Sequence, residues 1–221
     1  MTIKNVEVGH YSIPLPVVLS DSMHGDMASF ELMTARILDD EGREGLGYTY
    51  TLGAGARAIH SVMHSDMAPF LMDRDETRIE EIWHGLWWKL HYAGRGGLVI
   101  HALSAIDIAL WDLLGKRTSL PLWRLLGGGD PKVKAYAGGI DLMFSLDDLL
   151  AQTDQNLSKG FRAIKMKVGR DNLHEDVERI KTMRNHLGSG FPLMVDANMR
   201  WTVDDAIRAA RAFREFDLVW L

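Results

Sequence analysis

The stretch "FRAIKMKVGR" sets Lys165 and Lys167 one residue apart inside an otherwise apolar run. Burial strips water from an ammonium and disfavours its charged form, so a core strand carries lysines only at a cost. Side chains in a strand alternate faces; Lys165 and Lys167 therefore share one face and Met166 takes the other. Both lysines stand late in their segment, just before Gly169, and the next apolar segment, "LMVDAN", ends on Asp196 with Asn198 just beyond. Where parallel strands alternate with helices, functional groups gather at the carboxyl ends of the strands. The spacing thus predicts two ammoniums, a carboxylate and an amide at one rim.

Neighbouring ammoniums lower each other's pKa, and desolvation lowers it further. A lysine brought toward neutrality can act as a general base while its charged neighbour binds a substrate carboxylate. Asp196 is a hard oxygen donor suited to Mg²⁺. Taken alone, a Lys-x-Lys pair more often has one lysine reaching out to solvent and an aspartate capping a loop. What surrounds the pair has to decide.

The first third of the chain reads as strands, then helices. "TIKNVEVGHYSIPL" alternates loosely, and "SFELMTARILDDEGREGLGYTYT" reads as two strands joined by a turn at Asp40–Gly45. In "TRIEEIWHGLWWKLHY", Ile79, Ile82, Trp83, Leu86, Trp87 and Leu90 form one wide helical stripe. "LVIHALSAIDIALWDLLGKR" is apolar nearly all round and reads as a buried helix. "LLGGGDPK" is the strongest punctuation in the chain, which suggests one domain over residues 1–127 and a second over 128–221. The second begins with "VKAYAGGI" as a strand, then a helix opened by Ser145 with Asp148 and ended by Gly160. "AIKMKV" leads to a helix starting at Asn172 with Glu175, whose apolar face is Val177, Ile180 and Leu187. "PLMVDA" leads to a helix capped by Thr202 with Asp205, and "DLVWL" reads as a fourth strand. Such strand–helix repetition argues a parallel sheet flanked by helices, in an open doubly wound sheet or in half of a (β/α) barrel.

Composition narrows the function classes. With 221 residues, 47% hydrophobic, the chain can bury a sizeable core. A net charge of −5 without any Lys/Arg block gives no footprint for nucleic acid, and the absence of cysteine excludes disulfides and thiolate metal sites. No apolar stretch is read as approaching the roughly 18 residues that span a bilayer. The N-terminus lacks the apolar block of a signal peptide. A soluble, cytoplasmic protein is the expectation, with no membrane and no nucleic acid among its partners.

Other features read blandly. His60 and His64 have a zinc-compatible i, i+4 spacing but no accompanying glutamate base or third ligand, so an exposed helix face is expected. "LGAGAR" lacks the lysine of a phosphate loop. Trp87 and Trp88 are expected in the core, and "GRGG" at 94–97 as a loop by composition.

The segments "ALSAIDIALWDLLGKRTSLPLWRLLGG", "AIKMKVG", "FPLMVDANMRW" and "FDLVWL", in that order and spacing, resemble the mandelate racemase-like group of the enolase superfamily. Ser119 departs from the family's frequent glycine before the Pro-Leu pair, a departure that bears on none of the expected catalytic residues. The resemblance implies an enolase-like α+β capping domain followed by the first half of a (β/α) barrel. It implies that Lys167 is the general base removing a proton α to a carboxylate, and that Lys165 contacts the carboxylate and holds the base's pKa down. Asp196 becomes the first of three carboxylate ligands to Mg²⁺, and Asn198 a substrate contact. Two loops of the amino-terminal domain, Leu19–Asp26 and Tyr48–Ala54, would select substrate, with His24 and Tyr50 as candidate contacts. The remaining ligands, beginning with Glu-Glu-Pro, would follow Leu221, so the chain is expected to be part of a longer protein.

Within the group, "DSMHGDMASFELM", "GLGYTYT" and "FPLMVDANMRW" are most similar to dehydratases of the galactarate and talarate type. The expected reaction is Mg²⁺-dependent dehydration of an aldarate or aldonate to a 2-keto-3-deoxy acid. A racemase or epimerase, or a non-catalytic half-barrel scaffold, are the alternatives. The expected partners are a small-molecule carboxylate substrate and further copies of the chain in a homo-oligomer.

Overall fold

The computed structural model describes all residues, 1–221. The chain forms two compact units, one of residues 1–14 and 29–132, the other of 15–28 and 133–221.

Strands β1 (Ile3–Asp21), β2 (Gly25–Asp39) and β3 (Glu44–Thr51) form a sheet in that order, which belongs to the first unit apart from residues 15–28. β2 and β3 pair antiparallel, with Leu32 opposite Tyr50 and Leu38 opposite Glu44. Their turn is organised by Asp39. Its buried carboxylate accepts the backbone N–H groups of Glu41 and Arg43 at 2.9 and 2.8 Å, and the Arg43 Nε at 2.8 Å. Gly42 takes the left-handed φ of 77° that the turn demands.

Helices α1 (Ala56–Val62), a π-turn at Met63–Met67 and α2 (Ala68–Leu71) precede α3 (Ile79–Lys89), α4 (Leu98–Thr118) and the short α5 (Leu122–Leu125). α3 buries Ile79, Ile82 and Leu86 as its stripe predicts. Trp87 is partly buried against this core, but Trp88 is 59% exposed. Successive helical residues lie about 100° apart, so the pair cannot both face inward. Arg95 of the "GRGG" loop sits over the Trp88 ring, 4.3 Å from its centroid, rather than leaving the loop without contacts. His60 is half-buried and His64 exposed, their rings stacked 6.0 Å apart.

α4 corrects two expectations. By length and composition it is apolar enough to cross a membrane, contrary to the sequence reading. It is instead a core helix: Ala102, Ala105, Ile106, Ala109 and Leu113 are buried, while Leu98, Ile100 and Ile108 are more than a third exposed, so it is not buried all round. Its approach to β3 depends on two glycines. A Cβ at Gly45 or Gly47 would lie 2.0 Å from the carbonyl oxygen of Ala109 or Ala105.

In the second unit, β4 (Ala137–Gly138), β5 (Ile164–Lys167) and β6 (Leu193–Asp196) form a parallel sheet with β5 central. Helices α6 (Leu146–Ser158), α7 (Leu173–Leu187) and α8 (Val203–Phe213) alternate with them. Each begins where the sequence places a cap: Ser145 accepts from Asp148 N, Asn172 from His174 N, and Thr202 forms a full capping box with Asp205. Met166, Val168, Ile180, Met183, Leu193 and Val195 are fully buried between sheet and helices.

Two expected strands are reduced. "VKAYAGGI" shrinks to two paired residues, because the ladder stops at Gly139, beyond which the Lys167 N–H bonds to Asp141 instead. "DLVWL" is not a regular strand. It makes two backbone bonds to β6, Val219 N to Leu193 O at 2.9 Å and Val195 N to Trp220 O at 3.3 Å, with no ladder beyond them.

Candidate active site

β5 is buried along its whole length, Ile164 and Met166 on one face and the two lysines on the other. Parallel pairing sets Lys167 opposite Asp196 in the register of β5 and β6. A side chain of a strand pair at this position can reach its cross-strand neighbour. The Nζ of Lys167 donates to Asp196 Oδ2 at 2.6 Å, and the Nζ of Lys165 donates to the same oxygen at 3.3 Å. Lys165 also donates to the Gly139 carbonyl at 3.3 Å. Lysines 9% and 5% exposed thus share one carboxylate.

Burial, followed by the adjacent charge of Lys167, holds Lys165 below the ordinary lysine range, with Asp196 opposing. Burial pushes the Asp196 carboxyl up, but the hydrogen bond from Lys167, the Asn198 amide and both ammonium charges outweigh it and bring it to about 2. Asp196 is therefore a carboxylate at neutral pH.

Asn198 follows at the rim. Its backbone N–H donates to Asp196 Oδ1 at 3.0 Å, closing a tight turn in which Asn198 and Met199 both take left-handed φ, 48° and 62°. Asparagine tolerates that conformation better than most residues. The Asn198 Oδ1 is buried without a hydrogen-bond partner, an acceptor left over at the site.

The tip of the β1–β2 hairpin belongs to this unit. Ser22 Oγ donates to the Ala197 carbonyl at 2.6 Å, just past β6. His24 is held by Asp21, whose carboxylate accepts its backbone N–H at 2.8 Å and lies 2.8 Å from its Nδ1. Ser20, Ser22, Met143, Gly169, Arg170 and Arg200 line a cleft of about 330 Å³ at the strand-end loops. Tyr50 lies in the first unit, 54% exposed and edge-on to Phe30. The structure thus brings together Lys165, Lys167, Asp196 and Asn198, and fixes His24 locally.

Several buried polar residues here escaped the sequence reading. Asp176, fully buried, accepts the N–H groups of Gly169 and Arg170 at 2.9 and 3.1 Å and so fastens the loop after β5. Burial raises its carboxyl pKa, opposed by those amides and by Arg179 and Arg170. Arg179, 4% exposed, donates to the carbonyls of Phe144 and Asp141 at 2.7 and 2.9 Å. The signal was present: an Asp and an Arg at i, i+3 on the same face as Ile180 and Met183. Asp141 and Gly139 also belong to this set. No group of three or more histidines, aspartates or glutamates able to hold a metal ion occurs in the chain.

Comparison with known proteins gives two family matches. A model described as "Mandelate racemase / muconate lactonizing enzyme, N-terminal domain" matches residues 4–127, and one described as "Enolase C-terminal domain-like" matches residues 148–221. The chain is similar to a 3,6-anhydro-alpha-L-galactonate cycloisomerase of Streptomyces coelicolor, 57% identical over 99% of the chain and 61% of that protein. A crystal structure of a racemase from Streptomyces coelicolor A3(2) with bound magnesium superposes with a TM-score of 0.96 at 57% identity, covering 99% of this chain and 61% of that one. The L-talarate/galactarate dehydratase of Salmonella typhimurium LT2, liganded with Mg and L-lyxarohydroxamate, superposes with a TM-score of 0.93 at 35% identity, over 99% and 57% of the two chains. The chain therefore spans about three-fifths of the length of these relatives, 61% and 57%.

Proposed function

The chain belongs to the mandelate racemase/muconate lactonizing enzyme family of the enolase superfamily, and from that premise we propose a Mg²⁺-dependent elimination on an acid sugar. In this reading the whole protein removes the proton α to the carboxylate and expels the oxygen on C3, leaving a 2-keto-3-deoxy acid. The fold is the superfamily's, an enolase-like capping domain and part of a (β/α) barrel. The observation that carries the proposal is the convergence of two buried lysines on Asp196, with Lys167 Nζ 2.6 Å from its Oδ2. A lysine base working beside Mg²⁺ and an ene-diolate is the established chemistry of this superfamily.

The roles proposed for the residues follow the family resemblance. Lys167, one pleat nearer the strand end than Lys165, is the base that takes the C2 proton. Lys165, anchored to the Gly139 carbonyl, keeps a cation beside the substrate carboxylate. Asn198 is assigned as a substrate contact on the resemblance. His24 and Tyr50 are assigned as further substrate contacts on the resemblance. Asp196, ionised and oxygen-bearing, fits one place in a Mg²⁺ shell. The other ligands are expected from the part of the relatives' length that this chain does not span. When bound, the ion supplies stabilisation of the negative charge that develops on the substrate carboxylate.

The fate of the C3 oxygen distinguishes the substrates. A free hydroxyl leaves as water, which is dehydration. An oxygen tied into a 3,6-anhydro ring leaves carbon but stays in the molecule as the C6 hydroxyl, which is ring-opening isomerisation. Both follow one proton abstraction and give one class of product. Similarity to the Streptomyces cycloisomerase at 57% identity supports the ring-opening substrate, and similarity to the Salmonella dehydratase at 35% supports the open-chain one. A cytoplasmic location accords with either.

The test is to incubate the complete protein and Mg²⁺ with aldarates, aldonates and 3,6-anhydro aldonates in D₂O, following keto acid formation and C2 exchange. Keto acid from at least one member is the expected outcome. Exchange or epimerisation at C2 with no keto acid from any member would establish the racemase alternative instead.

A further inference from the structure

The β4–β5 ladder contains an irregularity at the base. It begins regularly, with Ala137 N donating to Ala163 O at 2.9 Å and Gly139 N to Lys165 O at 3.1 Å. Continued in that register, the N–H of Lys167 would donate to the carbonyl of Gly139. It donates instead to Oδ1 of Asp141, at 2.8 Å. The Gly139 carbonyl, released from the ladder, accepts from the Nζ of Lys165. One side-chain oxygen has replaced one backbone oxygen, and the exchange touches both lysines.

The substitution is built in rather than incidental. Asp141 is 1% exposed, and its Oδ2 accepts from the Gln152 amide at 2.9 Å. Its own carbonyl accepts from Arg179, itself 4% exposed, at 2.9 Å. Room for the carboxylate depends on Gly139: a Cβ there would lie 1.8 Å from Asp141 Oδ2 and 2.6 Å from Gln152 Nε2. The glycine and the aspartate therefore work as a pair.

We propose that Asp141 is a positioning residue, which by capping the ladder at the Lys167 N–H sets where Lys167 and Lys165 present their ammoniums. Its carboxylate meets the Lys167 backbone and the Gln152 amide, and its relevance to catalysis rests on reading Lys167 as the base. Without the carboxylate, the buried Lys167 N–H must either go unpaired or reclaim the Gly139 carbonyl and displace Lys165. Either outcome shifts the base relative to the substrate carbon.

The experiment compares Asp141→Ala, Asp141→Asn and the parent in the complete, Mg²⁺-supplied protein. Asparagine keeps an acceptor for Lys167 N–H, and the Gln152 amide can rotate to offer its oxygen to the new Nδ2. Asp141→Ala should lower kcat by up to about 10²-fold, the scale of a misplaced catalytic group, while KM changes by less than about fivefold. Amide hydrogen exchange at Lys167 should rise by about tenfold or more where the N–H is left unpaired and stay protected where it reclaims the Gly139 carbonyl, with α7 amides unchanged in both cases. Asp141→Asn should restore both readouts to within about threefold of the parent. Retained protection at Lys167 with unchanged kcat in Asp141→Ala would overturn the proposal, and so would an Asp141→Asn variant as impaired as the alanine. Should the alanine variant not fold, the asparagine variant decides: folded but slow and unprotected, it refutes. If the parent acts on no acid sugar, the functional reading fails, and exchange at Lys167 still judges the hydrogen bond.

Discussion

Lys167 is paired where it stands, since its ammonium meets Asp196 at 2.6 Å in a site where burial would otherwise oppose charge. Replacing it by Met removes one ammonium and leaves Asp196 bound to Lys165 at 3.3 Å. The complete Lys167→Met protein should therefore fold but lose C2 hydrogen–deuterium exchange by roughly 10²–10⁴-fold or more, the contribution of a principal base. Proton NMR in D₂O reads this directly, and wild-type exchange in the variant would refute the assignment. The convergence of Lys165, Lys167 and Asp196 was legible because strand alternation puts i and i+2 on one face and parallel pairing aligns strand ends. Asp141 was not legible: its partner, the Lys167 amide, is 26 residues away, and nothing local says that a side chain will replace a carbonyl.

Elements give two further tests. At the β2–β3 turn, burial raises the Asp39 carboxyl pKa, but the Arg43 backbone and guanidinium bonds and the Glu41 amide outweigh it, leaving the group below its ordinary value. A carboxylate with a depressed folded pKa stabilises fully above its unfolded value, about 3.9, and loses that contribution as pH falls through the folded one. Asp39→Asn should melt lower than the parent near neutrality, by about 1–2 kcal/mol. The gap should close below about pH 4; a gap independent of pH would refute the linkage. At the β3–α4 contact, Gly47→Ala would drive a Cβ to 2.0 Å from the Ala105 carbonyl. Backbone must move, so a loss of about 1–3 kcal/mol or more is expected in the denaturant midpoint at constant slope. An unchanged midpoint would show that the helix yields freely. The stripe of α3 and the caps of α6, α7 and α8 were readable in the sequence. The Trp88 exposure and the two-residue β4 depend on neighbours that periodicity does not name.

For the whole molecule, the metal offers a test independent of turnover. Mg²⁺ bound only by the folded protein should raise the melting temperature of the complete protein, in proportion to a stabilisation of about 2.7 kcal/mol at a hundredfold excess over Kd. Asp196→Asn should abolish most of that rise, and an equal rise in the variant would remove Asp196 from the ligand set. The amino-acid sequence by itself determined the helix starts at Ser145, Asn172 and Thr202, the shared face of Lys165 and Lys167, and the family resemblance. Those features are set by residues within a few positions of one another, where side-chain period, capping chemistry and motif spacing act directly. Only the tertiary structure decided that the hairpin tip at residues 15–28 joins the second unit, that "DLVWL" adds two bonds rather than a strand, and that Asp141 ends the β4 ladder. Each of these turns on which groups far apart in the chain find one another's donors and acceptors once water is excluded, a competition that local sequence does not encode.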